Sequence, residues 1–160
     1  MEQGLPYEEL LKLFNKHEVE YMVVGGFAVN KYADTPRQTP DIDIWINTTE
    51  ANAQKVYNSL LEFGSPLQEK EVTPEMFTKD KLRFTFELRP LDIDIFTSIT
   101  GVIFRDAWEN RNEADISGIK VNFISRETLI TAKRSVGREK DLLDIQKLEH
   151  EQIHSIEQSR

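Results

Sequence analysis

Asp41-Ile42-Asp43-Ile44-Trp45-Ile46 is the stretch on which the reading of this chain turns. Ile42, Ile44 and Ile46 fall on one side; Asp41, Asp43 and Trp45 fall on the other. That is the period of a half-buried strand. The phrase Asp-Ile-Asp-Ile returns at 92–95, inside a second alternating run from Leu91 to Phe96. Asp is depleted in strands, yet these two runs carry four. Each pair is spaced two residues apart, so both its carboxylates lie on one face. If the two strands are near neighbours, the carboxylates converge, repel one another and raise at least one pKa. A divalent cation removes that conflict, and hard cations such as Mg²⁺ take oxygen ligands alongside substrate phosphates. Two such ions about 3.5–4 Å apart can stabilise the attacking and leaving oxygens of an in-line phosphoryl displacement. One Asp-x-Asp on a half-buried strand is ordinarily a solvated face; the repetition makes this a candidate metal site.

Upstream, Tyr21-Met22-Val23-Val24 is a short apolar run ended by Gly25-Gly26, a buried strand by its length and its valines. A short helix is expected from Phe27 to Tyr32. The two glycines thus join a strand to a helix N-terminus, where backbone N–H groups and the helix dipole favour an anion. Glycine also lets a phosphate approach the backbone closely. A Walker loop is excluded because no Gly-Lys-Ser/Thr follows, and the dinucleotide fingerprint because its third glycine is missing. Before these elements, Pro6 to about Lys16 reads as a helix with Leu10, Leu13 and Phe14 on one face. Residues 34–40 hold two prolines and read as a loop.

Downstream, Thr48-Thr49-Glu50 can cap a helix running to about Phe63. Leu82 to Leu88 alternates and, after the break at Arg89-Pro90, is expected to pair with Leu91–Phe96 as a hairpin. A short helix from Phe104 to Arg111 and a second hairpin around Ser117-Gly118 come next. Ser125 can cap a helix to about Ser135, ended by Gly137. A last helix runs from Arg138 to about Glu157, with Leu142, Ile145 and Leu148 as its apolar seam. Strands and helices are intermixed, which predicts an α/β or α+β sheet with helices packed on it.

With 160 residues the chain has the size of one domain, 1–160, whose C-terminal helices begin at about 125. It is 39% hydrophobic and 30% charged, a globular balance. It has no cysteine, which excludes disulfides, thiolate metal sites and a cysteine nucleophile. No segment approaches the roughly 18 apolar residues of a membrane span. The opening residues lack the basic and apolar regions of a leader peptide. The expectation is a cytoplasmic protein without membrane contact. A formal net charge of −8 works against long nucleic acid held along the whole surface.

Gly25-Gly26 at a strand end, then Arg37-x-Thr39-x-Asp41-x-Asp43, then a separate strand bearing Asp94, resemble the DNA polymerase beta-like nucleotidyltransferase superfamily. The likeness is to small bacterial and archaeal nucleotidyltransferase-fold proteins, including the abortive-infection toxin type. It runs from about Tyr21 to Leu148. It implies a nucleotidyltransferase fold, a short mixed sheet flanked by helices. It also implies roles. Asp41 and Asp43 would hold the metal ions, two Mg²⁺ with Mn²⁺ as a substitute. Asp94 would be the third carboxylate and help deprotonate an acceptor hydroxyl. Gly25 and Gly26 would cradle the triphosphate, with Arg37 and Thr39 flanking it. Lys133, Arg138, Lys140 and Asp141 resemble a C-terminal lysine and Gly-Arg-x-Lys-Asp phrase of the group, a clamp on the outer phosphates. Asp92 departs from the pattern as an extra acid on the face of Asp94.

The reaction so implied moves a nucleoside monophosphate from a nucleoside triphosphate to a hydroxyl on an RNA end, a protein or a small molecule. A second reading is a non-catalytic nucleotide-sensing or toxin–antitoxin module with a cognate protein partner. A third is a metal nuclease using the same carboxylates, which leaves the Gly-Gly turn and Arg37 without a role.

Overall fold

The structure, a computed structural model, describes residues 5–33, 36, 38–88 and 91–158, with backbone alone from 150 onward. The break at Arg89-Pro90 lies outside the described residues. Among the described residues, six strands form one mixed sheet: β1 (Tyr21–Val24), β2 (Asp41–Ile46), β3 (Arg83–Phe86), β4 (Asp92–Phe96), β5 (Asn112–Ile116) and β6 (Ile119–Phe123). Their order across the sheet is β3-β4-β2-β1-β6-β5. The β3–β4 and β5–β6 hairpins form its two ends, antiparallel as expected. The centre combines an antiparallel β1–β2 pair with parallel pairs β2–β4 and β1–β6.

Helices cover both faces. Ile42, Ile44 and Ile46 are buried on one face together with Tyr21, which pairs with Ile46 across β1 and β2. On this face lies α1 (Pro6–Lys16), whose Phe14 packs on the Tyr21 ring at 5.5 Å between centroids. Pro at the first turn, Glu8 and Glu9 behind it and Lys16 at the far end suit a helix and its dipole. The core face of α1 is Tyr7, Leu10, Leu11 and Phe14, and Leu13 is half-buried, because the 7-10-11-14 spacing points at the sheet. Beside α1 runs α3 (Glu50–Phe63), with the Thr49 hydroxyl accepting from the Asn52 N–H at its start and left-handed Gly64 at its end. A 3₁₀ turn at Pro74–Thr78 places Phe77 against Phe84 of β3.

The opposite face carries α2 (Gly25–Tyr32), α4 (Phe104–Glu109), α5 (Arg126–Val136) and α6 (Glu139–Gln158). Here Trp45 is buried under Phe104, in edge-to-face contact at 5.1 Å, so the end of this face beyond the aspartates is closed. Ser125 caps α5 through the Thr128 N–H, and left-handed Gly137 ends it.

One expectation is corrected in α6. Ile145 and Leu148 are buried, but Leu142 is 49% exposed. The inward residues are Asp141, Asp144, Ile145 and Leu148, a helical stripe turned one residue from the apolar seam. Two aspartates occupy core-facing positions because α5 supplies their counter-charge, described below. Among the described residues, no helix is long and apolar enough to cross a membrane.

Candidate active site

The parallel β2–β4 pair aligns the two Asp-Ile-Asp phrases residue for residue. Asp41 lies opposite Asp92, and Asp43 opposite Asp94. Asp41, Asp43 and Asp94 converge, each offering a carboxylate oxygen within 4.8 Å of the others. Asp92 takes another course. Its Oδ1 accepts the Leu88 N–H at 3.1 Å, which ties Leu88, just past β3, to the first residue of β4.

Electrostatics reflect the crowding. The Asp43 carboxyl is pushed up to about 6, first by burial, then by the charges of Asp94 and Asp41 and a hydrogen bond with Asp94. Asp41 is raised for the same reasons, burial first and then Asp94 and Asp92. Asp94 is only 4% exposed and is held from β3. Thr85, its partner across the strands, donates its hydroxyl to Asp94 Oδ1 at 2.6 Å. Arg83, two residues away on the same strand face, brings Nε to 3.7 Å from that oxygen. Among the described residues, one guanidinium stands within ion-pair distance of these three carboxylates, which leaves the cluster short of positive charge. An all-oxygen donor set of this kind suits Mg²⁺ or Mn²⁺, so the residues present fit a divalent metal.

The glycine turn closes against the cluster. Gly25 opens α2 with φ +67°, and a Cβ there would overlap Asp43 Oδ2. Glycine is required twice over, by backbone conformation and by the approach of the carboxylate. The helix begins here, two residues before the expected Phe27. A Cβ at Gly26 would stand 3.0 Å from Thr39 Oγ1. Thr39 in turn donates to the Asp41 carbonyl at 3.1 Å, which ties the incoming loop to β2. The α2 N-cap is Val24, whose apolar side chain offers no cap to the first-turn N–H groups.

A cleft of about 430 Å³ adjoins these groups, lined by Gly25, Asp43, Arg83, Phe96, Lys133 and Arg138 among others. A larger cavity, about 1010 Å³, lies between α1, the end of α3 and the outer edge of β3. It touches the site only through Thr85, and the converging acids are not in its walls. The chemistry therefore points to the smaller cleft.

The C-terminal basic residues form the cleft's other wall. Lys133, 11% exposed, places Nζ 3.1 Å from Asp144 and 3.6 Å from Asp141. Arg138 grips Asp141 with Nε at 2.7 Å and Nη2 at 3.2 Å, and its backbone N–H donates to the same carboxylate. That fork holds Asp141 below the usual carboxylate range. Lys140 is exposed, and its charge acts on Asp41. Arg37 lies outside the described residues. Sequence reasoning missed Arg83, Thr85 and Asp144. The outward Arg83-x-Thr85 pattern of β3 was a usable signal, since a hairpin partner shares the face of Asp94.

No curated protein matches the chain. Among solved structures, the lincosamide antibiotic adenylyltransferase LnuA in its lincomycin-bound form covers 92% of this chain and 98% of its own, at 20% identity and TM-score 0.56. An antigenic nucleotidyltransferase-like protein from Paracoccidioides brasiliensis covers 93% and 78%, at 18% identity and TM-score 0.50. These likenesses are of fold. A family model described as a nucleotidyltransferase of unknown function (DUF6036) matches residues 7–157, nearly the whole chain. By that match, and by a sheet that places three carboxylates beside a glycine turn, the chain belongs to this family of nucleotidyltransferases.

Proposed function

We propose that this nucleotidyltransferase uses a nucleoside triphosphate as donor, with Asp41, Asp43 and Asp94 as its divalent-metal site. The observation that carries the reading is the convergence of three mutually repelling carboxylates beside a helix N-terminus whose N-cap residue, Val24, offers no side-chain cap. Bound there, Mg²⁺ (one ion or two, with Mn²⁺ as substitute) supplies charge neutralisation at the reacting oxygens.

The rest falls to the chain. An acceptor hydroxyl oxygen forms a bond to the α-phosphorus as the bond from that phosphorus to the β-phosphate oxygen breaks, and pyrophosphate leaves. Asp94, steadied at Oδ1 by the Thr85 hydroxyl, takes the hydroxyl proton. Gly25 and Gly26 present backbone N–H groups to the phosphates. Arg37, Thr39, Lys133, Arg138 and Lys140 flank the phosphate path. The remaining barrier reduction is positional and electrostatic.

The acceptor is a hydroxyl on an RNA end, a protein or a small molecule. The net charge of −8 favours the latter two over long nucleic acid. LnuA is named as an antibiotic adenylyltransferase, so hydroxyl-bearing small molecules are the first acceptors to screen. Residues 1–160 act as one unit in this reading, in the cytoplasm, where triphosphates are at hand.

Calorimetry with each of the four ribonucleoside triphosphates, in Mg²⁺ and then in chelator, tests the donor and the metal. Binding that needs Mg²⁺ and is lost in Asp41→Ala/Asp43→Ala is the expected result. A folded sample that binds no triphosphate would replace this reading with the non-catalytic partner module.

A further inference from the structure

We infer that Arg83 is a catalytic residue that contacts the α-phosphate of the donor. The inference rests on the donor and metal reading above. It starts from a comparison of the basic residues around the cleft.

Lys133 and Arg138 are matched. Their charges meet Asp141 and Asp144, each 1% exposed. A phosphate that drew Lys133 away would leave buried carboxylates under-compensated, which is strongly unfavourable. Arg83 is placed differently. Its side chain is 60% exposed and sits 3.7 Å from Asp94, a long and partly solvated ion pair of the kind worth little. Its contacts with Thr85 (3.4 Å) and Asp94 run through Nε. A guanidinium has five N–H donors, so four remain on its two Nη atoms. The group also lies over the Phe96 ring, 5.8 Å from the centroid, which steadies its plane. Among the described residues, it is the cation that comes within ion-pair distance of the converging acids.

Arg83 reaches over the same cluster that would hold the metal. Cations taken up by Asp41, Asp43 and Asp94 cancel the attraction that keeps Arg83 at Asp94. They leave the fork able to turn into the cleft that Arg83 lines together with Phe96 and Gly25. A fork matches two phosphate oxygens at once, where an ammonium is a point charge. Proximity to Asp94 places the contact at the α-phosphate, where the new bond forms.

The test compares Arg83→Met and Arg83→Lys with wild type by calorimetry. The titrants are the triphosphate that wild type binds most tightly, its monophosphate and its nucleoside, each with Mg²⁺, and Mn²⁺ alone. Arg83→Met should weaken both phosphate-bearing ligands on the order of 10–100-fold, the scale of a charged hydrogen bond. It should leave the nucleoside unchanged and bind Mn²⁺ at least as tightly as wild type. Arg83→Lys should recover part of the loss. A purely structural role at Asp94 would instead weaken Mn²⁺ and all three ligands together, and that outcome overturns the inference. Triphosphate binding by Arg83→Met within twofold of wild type overturns it as well. Failure of wild type to bind any triphosphate removes the donor reading beneath it, and the inference falls with it. Arg83 is exposed on an edge strand, so both variants should melt like wild type.

Discussion

Two sets of acidic residues reach this cleft, one through Asp43 and the other through Asp141, and the fold treats them in opposite ways. On the α5–α6 side, Asp141 and Asp144 are more deeply buried than Asp41 or Asp43, yet Lys133 and Arg138 match them. On the sheet, Asp41, Asp43 and Asp94 converge with Arg83 as their ion-pair partner, and burial and mutual repulsion push Asp43 up to about 6. The balanced group joins two helices. The unbalanced group leaves a charge that some other species must neutralise. Burial alone therefore does not separate a structural carboxylate from a functional one; local neutrality does.

The strongest way to break this contrast is in catalysis. Asp43→Asn should lower pyrophosphate release on the order of 10⁴-fold, the scale of a residue that works as part of a unit, while its urea midpoint at pH 7 stays at or above that of wild type. Near-wild-type turnover would remove the sheet acids from the chemistry. The helix side should give the reverse pattern. Lys133→Met strips a buried counter-charge and should cost roughly 3–5 kcal/mol in a denaturant melt. Lys133→Met/Asp141→Asn/Asp144→Asn should recover part of it, since charge imbalance is the cause. A cost below about 1 kcal/mol would mean that the junction does not depend on its ion pairs.

A smaller effect comes from pH. The folded Asp43 carboxyl titrates near 6, above its ordinary value of 3.8. Its protonated form therefore favours the fold. The contribution is fully present below about pH 4 and is lost as pH rises through about 6. At 1.36 kcal/mol per unit, reduced for water at the site, the loss is about 2 kcal/mol. Metal-free wild type should lose that much stability relative to Asp43→Asn between pH 4 and 7, and saturating Mg²⁺ should restore it. Parallel pH curves for the two proteins would show that the sheet acids are already neutralised.

Much of this was legible beforehand. Alternation located β2 and β4, and the repeated Asp-x-Asp put the acids on one face. Thr49, Ser125 and Gly137 marked helix ends because caps are short-range chemistry. The illegible parts depend on partners distant in sequence. That β2 and β4 are direct parallel neighbours, Asp43 against Asp94, is a property of the assembled sheet. Asp92 stood out in the sequence only as an extra acid beside Asp94; its bond from the Leu88 N–H depends on the folded hairpin. Nothing within α6 itself marks Asp141 and Asp144 as inward-facing, because their counter-charge, Lys133, belongs to the preceding helix. That is why Leu142 was placed on the inner stripe of α6.

The pairing of β2 with β4 has one more consequence. Neither half of the chain contains the site: Asp41 and Asp43 precede the exposed stretch around Gln68–Glu71, and Asp94 follows it. A backbone cut in that stretch would yield two fragments that each lack a full ligand set. Metal uptake by the mixture would then act as a built-in reporter of fragment complementation, silent until the two pieces zip together along two strand pairs, β2–β4 and β1–β6.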